Sequence, residues 1–221
     1  MRDPTAPAIP PPVVSMVLIE GQAEHEAVIT WSTSLAGQIP PAPTPIPASE
    51  VSLTIRDAAG NRYPLIPGNQ PGRFVVQLDA IPGQQYWLEG TITGNPVAAE
   101  TRVPSGFAMP EPSADTIRVD REAGFAWGIP YRFEVDGGSA FMPQVISPDG
   151  VFPRGSLTDP ADTLRLVSLE NTGSPPHHLR VLALDQAAAG WLVSRVPQSN
   201  IEGAFGGFGS AAVVLRPLVI E

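Results

Sequence analysis

Cysteine is missing from the 221 residues, and so is lysine. Without thiols the chain has no disulfide, no cysteine nucleophile and no thiolate metal site. Without lysine it has no phosphate loop of the Gly-x-x-x-x-Gly-Lys type. All 13 basic residues are arginine, set against 22 acidic residues, for a net charge of −9. Scattered arginines on an acidic chain give no footprint for nucleic acid and no polybasic run for an anionic lipid surface. Long hydrophobic runs are missing too. The longest early one, residues 13–19, is seven residues, far short of a bilayer span, so no transmembrane segment is expected. A charged n-region followed by an apolar h-region is also missing at the start. The expectation is a mature chain, periplasmic or at the cell surface and peripheral to a membrane, whose signal or lipid anchor is not visible in this sequence.

What is present points to β-structure. Hydrophobic residues make up 43% and charged residues 16%, a globular balance, and 27 prolines with 21 glycines disfavour long helices. Residues 1–12 form a proline-rich arm, with Pro10, Pro11 and Pro12 at its end, and read as a linker or a docking strap. A second proline-rich stretch, 39–47, reads as a long loop.

Between and after them, apolar residues alternate with polar ones over short runs. Ala27, Ile29 and Trp31 share one face of a strand, and Leu53 and Ile55 share another. Asp57 to Asn61 is turn chemistry leading to a hairpin partner. Phe74, Val76, Tyr86 and Leu88 supply further inward positions. Seven such runs over residues 13–103 read as an immunoglobulin- or fibronectin-like β-sandwich.

Breakers concentrate in 104–113, which reads as a linker. Residues 114–221 then read as a second β domain. Tyr131, Phe133 and Val135 form its first apolar face, and Asp136 to Ser139 reads as a hairpin turn. One short helix is expected near 185–194, capped by Asp185, with Ala188, Trp191 and Leu192 toward a core. A Gly/Phe-rich loop follows at 203–209, its Phe205 and Phe208 plugging a core or a partner. The fold class is therefore all-β: two β-sandwich-like, immunoglobulin-like domains with one short helix.

No constellation carries chemistry. His177 and His178 are adjacent and would point to opposite faces of a strand, so they do not share a metal. The carboxylates at 115, 120, 159 and 162 lack the alternating spacing of a calcium loop. No serine sits in Gly-x-Ser-x-Gly. The sequence offers no catalytic residue, no metal ligand and no cofactor site, and the protein is expected not to be an enzyme. Among the four tryptophans, Trp127, beside Gly124, Gly128 and Pro130, is the candidate for an exposed ring.

The order of particular segments carries a resemblance. They are Val-Leu-Ile-Glu-Gly (17–21), Val-Ser-Leu-Thr-Ile-Arg-Asp-Ala-Ala-Gly (51–60) and Pro-Gly-Arg-Phe (71–74). Pro-Gly-Gln-Gln-Tyr-Trp-Leu (82–88) and Ala-Glu-Thr-Arg-Val-Pro (99–104) follow, then Gln-Ser-Asn-Ile-Glu-Gly-Ala-Phe-Gly-Gly-Phe-Gly (198–209). Together they resemble an uncharacterised family of bacterial surface lipoproteins found near TonB-dependent receptors, whose N-terminal half is similar to carboxypeptidase-regulatory and fibronectin-type sandwiches. Such a lipoprotein has a lipidated cysteine, which this sequence does not contain. The resemblance implies no catalytic residues.

The expected function is a non-catalytic extracytoplasmic scaffolding or accessory subunit. Its partner would be a membrane-associated complex, either an outer-membrane receptor or another large assembly such as a photosynthetic complex. The alternative is a carbohydrate- or peptide-binding module serving an outer-membrane transporter. The candidate interface residues are Pro10, Pro11, Pro12, Trp127, Phe205 and Phe208.

Overall fold

The computed structural model describes residues 10–32, 43–119, 127–153, 158, 160–166, 173–194 and 197–220. These are mostly strand, with a single α-helix. The first half contains β1 (Pro12–Ile19), β2 (Glu24–Trp31), a 3-10 turn (Ala48–Glu50), β3 (Val51–Asp57), β4 (Arg62–Pro64), β5 (Ile66–Pro67), β6 (Arg73–Gln77), β7 (Gln85–Ile92) and β8 (Asn95–Arg102). The second contains β9 (Ser105–Glu111), β10 (Ile117–Val119), β11 (Trp127–Asp136), β12 (Ala140–Ser147), β13 (Gly150–Pro153), β14 (Ala161–Leu166), β15 (His177–Leu184), α1 (Gln186–Leu192) and β16 (Phe205–Ile220). Among the described residues no helix is long and apolar enough to cross a membrane.

In the first half the sheet β4-β3-β7-β8 faces the run β1-β2-β6-β5. Alternation decides which side chains go inward. Leu53 and Ile55 of β3, Phe74 and Val76 of β6, and Tyr86 and Leu88 of β7 are all buried in one cluster with Val14, Leu18 and Ile29. The β3–β4 turn is locked by Asp57. Its carboxylate accepts from the Asn61 backbone N–H and side-chain amide, both at 2.8 Å, and from the Tyr63 hydroxyl at 3.1 Å. Those bonds, led by the Asn61 amide, hold the Asp57 carboxyl below the usual carboxylate range. The proline-rich stretch is partly structural. Trp31 donates its backbone N–H to the Thr44 carbonyl at 2.8 Å, and Ile46 is buried in the same core.

The second half has its own core, from Met109 to Leu218. Here two expectations are corrected. Residues 104–113 are not only breakers: 105–111 form β9, which pairs with β11. Asp136 to Ser139 does not close a hairpin either. β11 pairs with β9 and β14, whereas β12 pairs with β13 and β15, so the turn is an arch between two sheets. The reason is that both flanking strands carry aromatic inward faces. Phe133 of β11 and Phe141 of β12 meet across the core with ring centroids 4.6 Å apart, and Tyr131 stacks on Phe133 at 4.5 Å. Hydrogen-bonding the strands side by side would forfeit that burial.

The two cores do not split the chain cleanly, since Ile201 and Phe208 of the second half join the first core, and one sheet runs past both. Its order is β13-β12-β15-β16-β1-β2-β6-β5, with β10 also on β16. The seam is the parallel pair β1·β16, in register from Val13↔Phe205 to Ile19↔Ala211. Of the expected Gly/Phe-rich loop at 203–209, only Gly203 and Ala204 are turn or bend, and 205–209 open a 16-residue strand. Its glycines serve close approach. A Cβ on Gly207 would lie 2.5 Å from Trp191, and one on Gly209 would lie 2.5 Å from the Ala188 nitrogen, because α1 rests on that face. Gly206, at φ +122°, lies against the Val14 carbonyl, where a Cβ would come within 1.7 Å.

Candidate functional site

Two places gather unsatisfied surface or polar side chains. The first is the end of the β1·β16 seam, where the proline-rich arm enters the sheet. Pro10 and Pro11 are exposed, and the Pro11 carbonyl accepts the Ser32 N–H at 3.1 Å. Pro12 is buried: it opens β1, the strand position that tolerates a missing N–H, and lies opposite Trp31. Val13 pairs with Phe205, whose side chain is 57% exposed. Among the described residues Phe205 is the only aromatic among the large exposed hydrophobics, the others being Ile66, Ile81, Val151, Leu192 and Leu215.

Of the candidate interface residues, Pro10 and Pro11 lead into Val13, the strand partner of Phe205, so these three lie at the same end of the seam. Phe208 does not join them. It points to the opposite face and is fully buried, with its backbone N–H and C=O both held by the Asn200 side chain, at 3.0 and 2.8 Å. Period two makes this unavoidable, since residues three apart on a strand face opposite ways. Trp127 lies on β11 opposite Leu166, in the second half, and its side chain is outside the described residues. Residues 1–9 of the arm, Asp120 and Asp159 are outside them as well. Leu192, expected toward a core, is exposed at the end of α1, whereas Ala188 is buried.

The second place lies away from every residue that the sequence marks as a candidate. A cleft of about 490 Å³ opens between the end of β8, the start of α1 and residues 198–200. A smaller one of about 220 Å³ adjoins it through Arg102, Asp185 and Gln186. Beneath both lies a buried trio from three elements: Thr101, Asp185 and Ser210. Asp185 caps α1, accepting from the Ala188 N–H at 2.8 Å and the Ser210 N–H at 3.2 Å through one oxygen. Its other oxygen accepts the Thr101 hydroxyl proton. A hydroxyl has one proton, so the second bond of Thr101, 2.8 Å to Ser210 Oγ, is donated by Ser210. These contacts use the carboxylate to clamp β8, α1 and β16 together, which makes the trio the rigid floor of the cleft.

The cleft walls are polar. Gln85, Glu100 and Arg102 share the outer face of β7 and β8, by the pairs Gln85↔Arg102 and Trp87↔Glu100. Gln186, Gln198 and Ser199 stand opposite. Trp87 continues the same outer face, half-buried, with the Arg56 guanidinium 4.2 Å from its ring centre. Asn200 fixes one wall by donating to the Glu100 carbonyl at 3.2 Å. Only the helix cap at Asp185 was visible beforehand; the convergence of β8 with 198–200 depends on tertiary pairing that no local pattern encodes.

The four groups of carboxylate, amide, hydroxyl and guanidinium bind by hydrogen bonds, and the structural cap accounts for the only buried carboxylate among them. Among the described residues no group of three or more His, Asp or Glu side chains is placed to hold a metal. No model of a known protein family matches this chain, and no curated protein matches it either.

Proposed function

We propose that this protein is a non-catalytic, extracytoplasmic accessory subunit that binds and stabilises a membrane-associated protein complex. The partner is an outer-membrane receptor or another large assembly such as a photosynthetic complex. The observation that carries the reading is the exposed Phe205 at the same end of the seam as Pro10 and Pro11, where the arm leaves a rigid sheet. An aromatic ring held out on a strand loses little entropy on docking, and such anchors dominate interface energies. Prolines keep an adjoining strap extended before contact. The resemblance to surface lipoproteins near TonB-dependent receptors points the same way.

The scaffold behind this surface is read as two immunoglobulin-like sandwiches. Two features support that for the first half. Its strand order pairs β1-β2-β6-β5 against β4-β3-β7-β8, the arrangement of an A-B-E-D sheet on a C-F-G sheet. The Tyr86 hydroxyl donates to the Asp79 carbonyl and accepts the Ile81 N–H, at 3.1 and 3.0 Å, in the manner of a tyrosine corner on strand F.

The test is fractionation of membranes from the native host. Deleting residues 1–10, or replacing Phe205 by Asp, is expected to lower the membrane-bound fraction about tenfold while leaving the unfolding midpoint unchanged. Wild-type protein recovered wholly as a free monomer would overturn the proposal. One observation favours a second reading, a ligand-binding module: the polar cleft over Asp185.

A further inference from the structure

We infer that the cleft between β8, α1 and residues 198–200 binds a neutral saccharide, an inference that rests on the ligand-binding reading. Two observations select that chemistry. First, the walls present paired hydrogen-bonding atoms: the amides of Gln85, Gln186 and Gln198, the carboxylate of Glu100 and the guanidinium of Arg102. Each of these groups offers two atoms in one plane, which is the geometry that holds two adjacent hydroxyls of a sugar ring.

Second, the accessible charges offset each other, because both oxygens of Asp185, the third charged group of the lining, are taken up by Thr101, Ala188 and Ser210. Glu100 and Arg102 sit two residues apart on the same face of β8, so neither an anion nor a cation is favoured. The walls named above carry no large apolar side chain, so a hydrophobic ligand has nothing to bury against. Trp87 lies directly across from Glu100 on the same outer face. Its ring carries the Arg56 guanidinium at 4.2 Å and stands beside the cleft rather than in it, so it serves as a fluorescent reporter of an occupied rim. At about 490 Å³ the cleft falls in the usual size range of small-ligand sites, roughly 300–1,000 Å³.

The site is also pre-organised. Asp185 clamps its floor, and the bridge between Ala98 and Glu202, with backbone bonds of 2.8 and 3.2 Å, fixes the approach of the 198–202 segment to β8. Little ordering is left for the ligand to bring about.

The experiment titrates the full chain with maltohexaose, cellohexaose and xylohexaose, followed by calorimetry and tryptophan fluorescence. A Ser/Thr-rich octapeptide is titrated in parallel. The expected result is binding of at least one hexasaccharide with a change in emission that Trp87→Phe abolishes. The double variant Glu100→Ala/Gln198→Ala should weaken that binding about tenfold or more with an unchanged unfolding midpoint, since neither side chain belongs to a core. Saccharide binding that survives the double variant overturns the inference, because the site is then elsewhere. Binding of the peptide alone, lost in the same variant, overturns the saccharide but keeps the ligand-binding reading. No binding of either overturns both.

Discussion

Two phenylalanines three residues apart show what a single position decides. Phe208 is fully buried in the first core and Phe205 is 57% exposed, although both sit in one short Gly/Phe-rich segment. Phe208→Ala removes a whole ring from a packed interior and should cost about 3–5 kcal/mol. Phe205→Ala removes a ring from water and should stay within about 0.5 kcal/mol. Chemical denaturation of the two variants checks the pair; equal losses would mean that the strand face is assigned the wrong way round. The sequence shows both rings but leaves open whether each plugs a core or a partner. Only the β1·β16 register resolves it, because the register fixes which face meets the first core.

At the scale of elements, local signals were readable and their pairings were not. Asp185 is legible as a helix cap because a short carboxylate before a run of helix formers has one common use. The turn from Asp57 to Asn61 is legible for a similar reason. The arch at Asp136 is not, because its glycines suit a hairpin as well, and only the meeting of Phe133 with Phe141 excludes one. His25 is a further case. Its ring is buried between strand ends, Nδ1 accepting the Ile19 N–H at 3.2 Å and Nε2 donating to the Leu78 carbonyl at 3.1 Å. Burial lowers its pKa, against smaller opposing effects from the Leu78 and Gln22 backbone and from Asp79. The unfolded chain therefore takes up a proton near the ordinary histidine value, about 6.5, while the folded chain refuses it. Stability should be flat in this respect above that pH and fall below it, by up to about 1.4 kcal/mol per pH unit, until the lowered pKa is reached. Unfolding midpoints measured from pH 8 to pH 5 should show this slope in the wild type and lose it in His25→Gln, whose amide can make both bonds. A slope unchanged by that substitution would assign the acid sensitivity to other groups.

For the whole molecule, composition was enough for the all-β class, since proline and glycine at this level leave few places for helix. It was not enough for the long shared sheet. The seam joins residues nearly two hundred positions apart, and nothing in a 16-residue apolar stretch names its partner. That seam matters to function because it holds the arm's entry and Phe205 on one stiff platform. In the proposed function this platform faces a membrane-associated partner. Site-specific photo-crosslinking in the native host tests it most directly, with the crosslinker at position 205 and, as a control, at the half-exposed Ile66 on the far edge strand β5. A discrete adduct with a membrane-fraction protein from position 205, and none from 66, is the expected result. No adduct at 205, or the same adducts from both positions, would contradict the account.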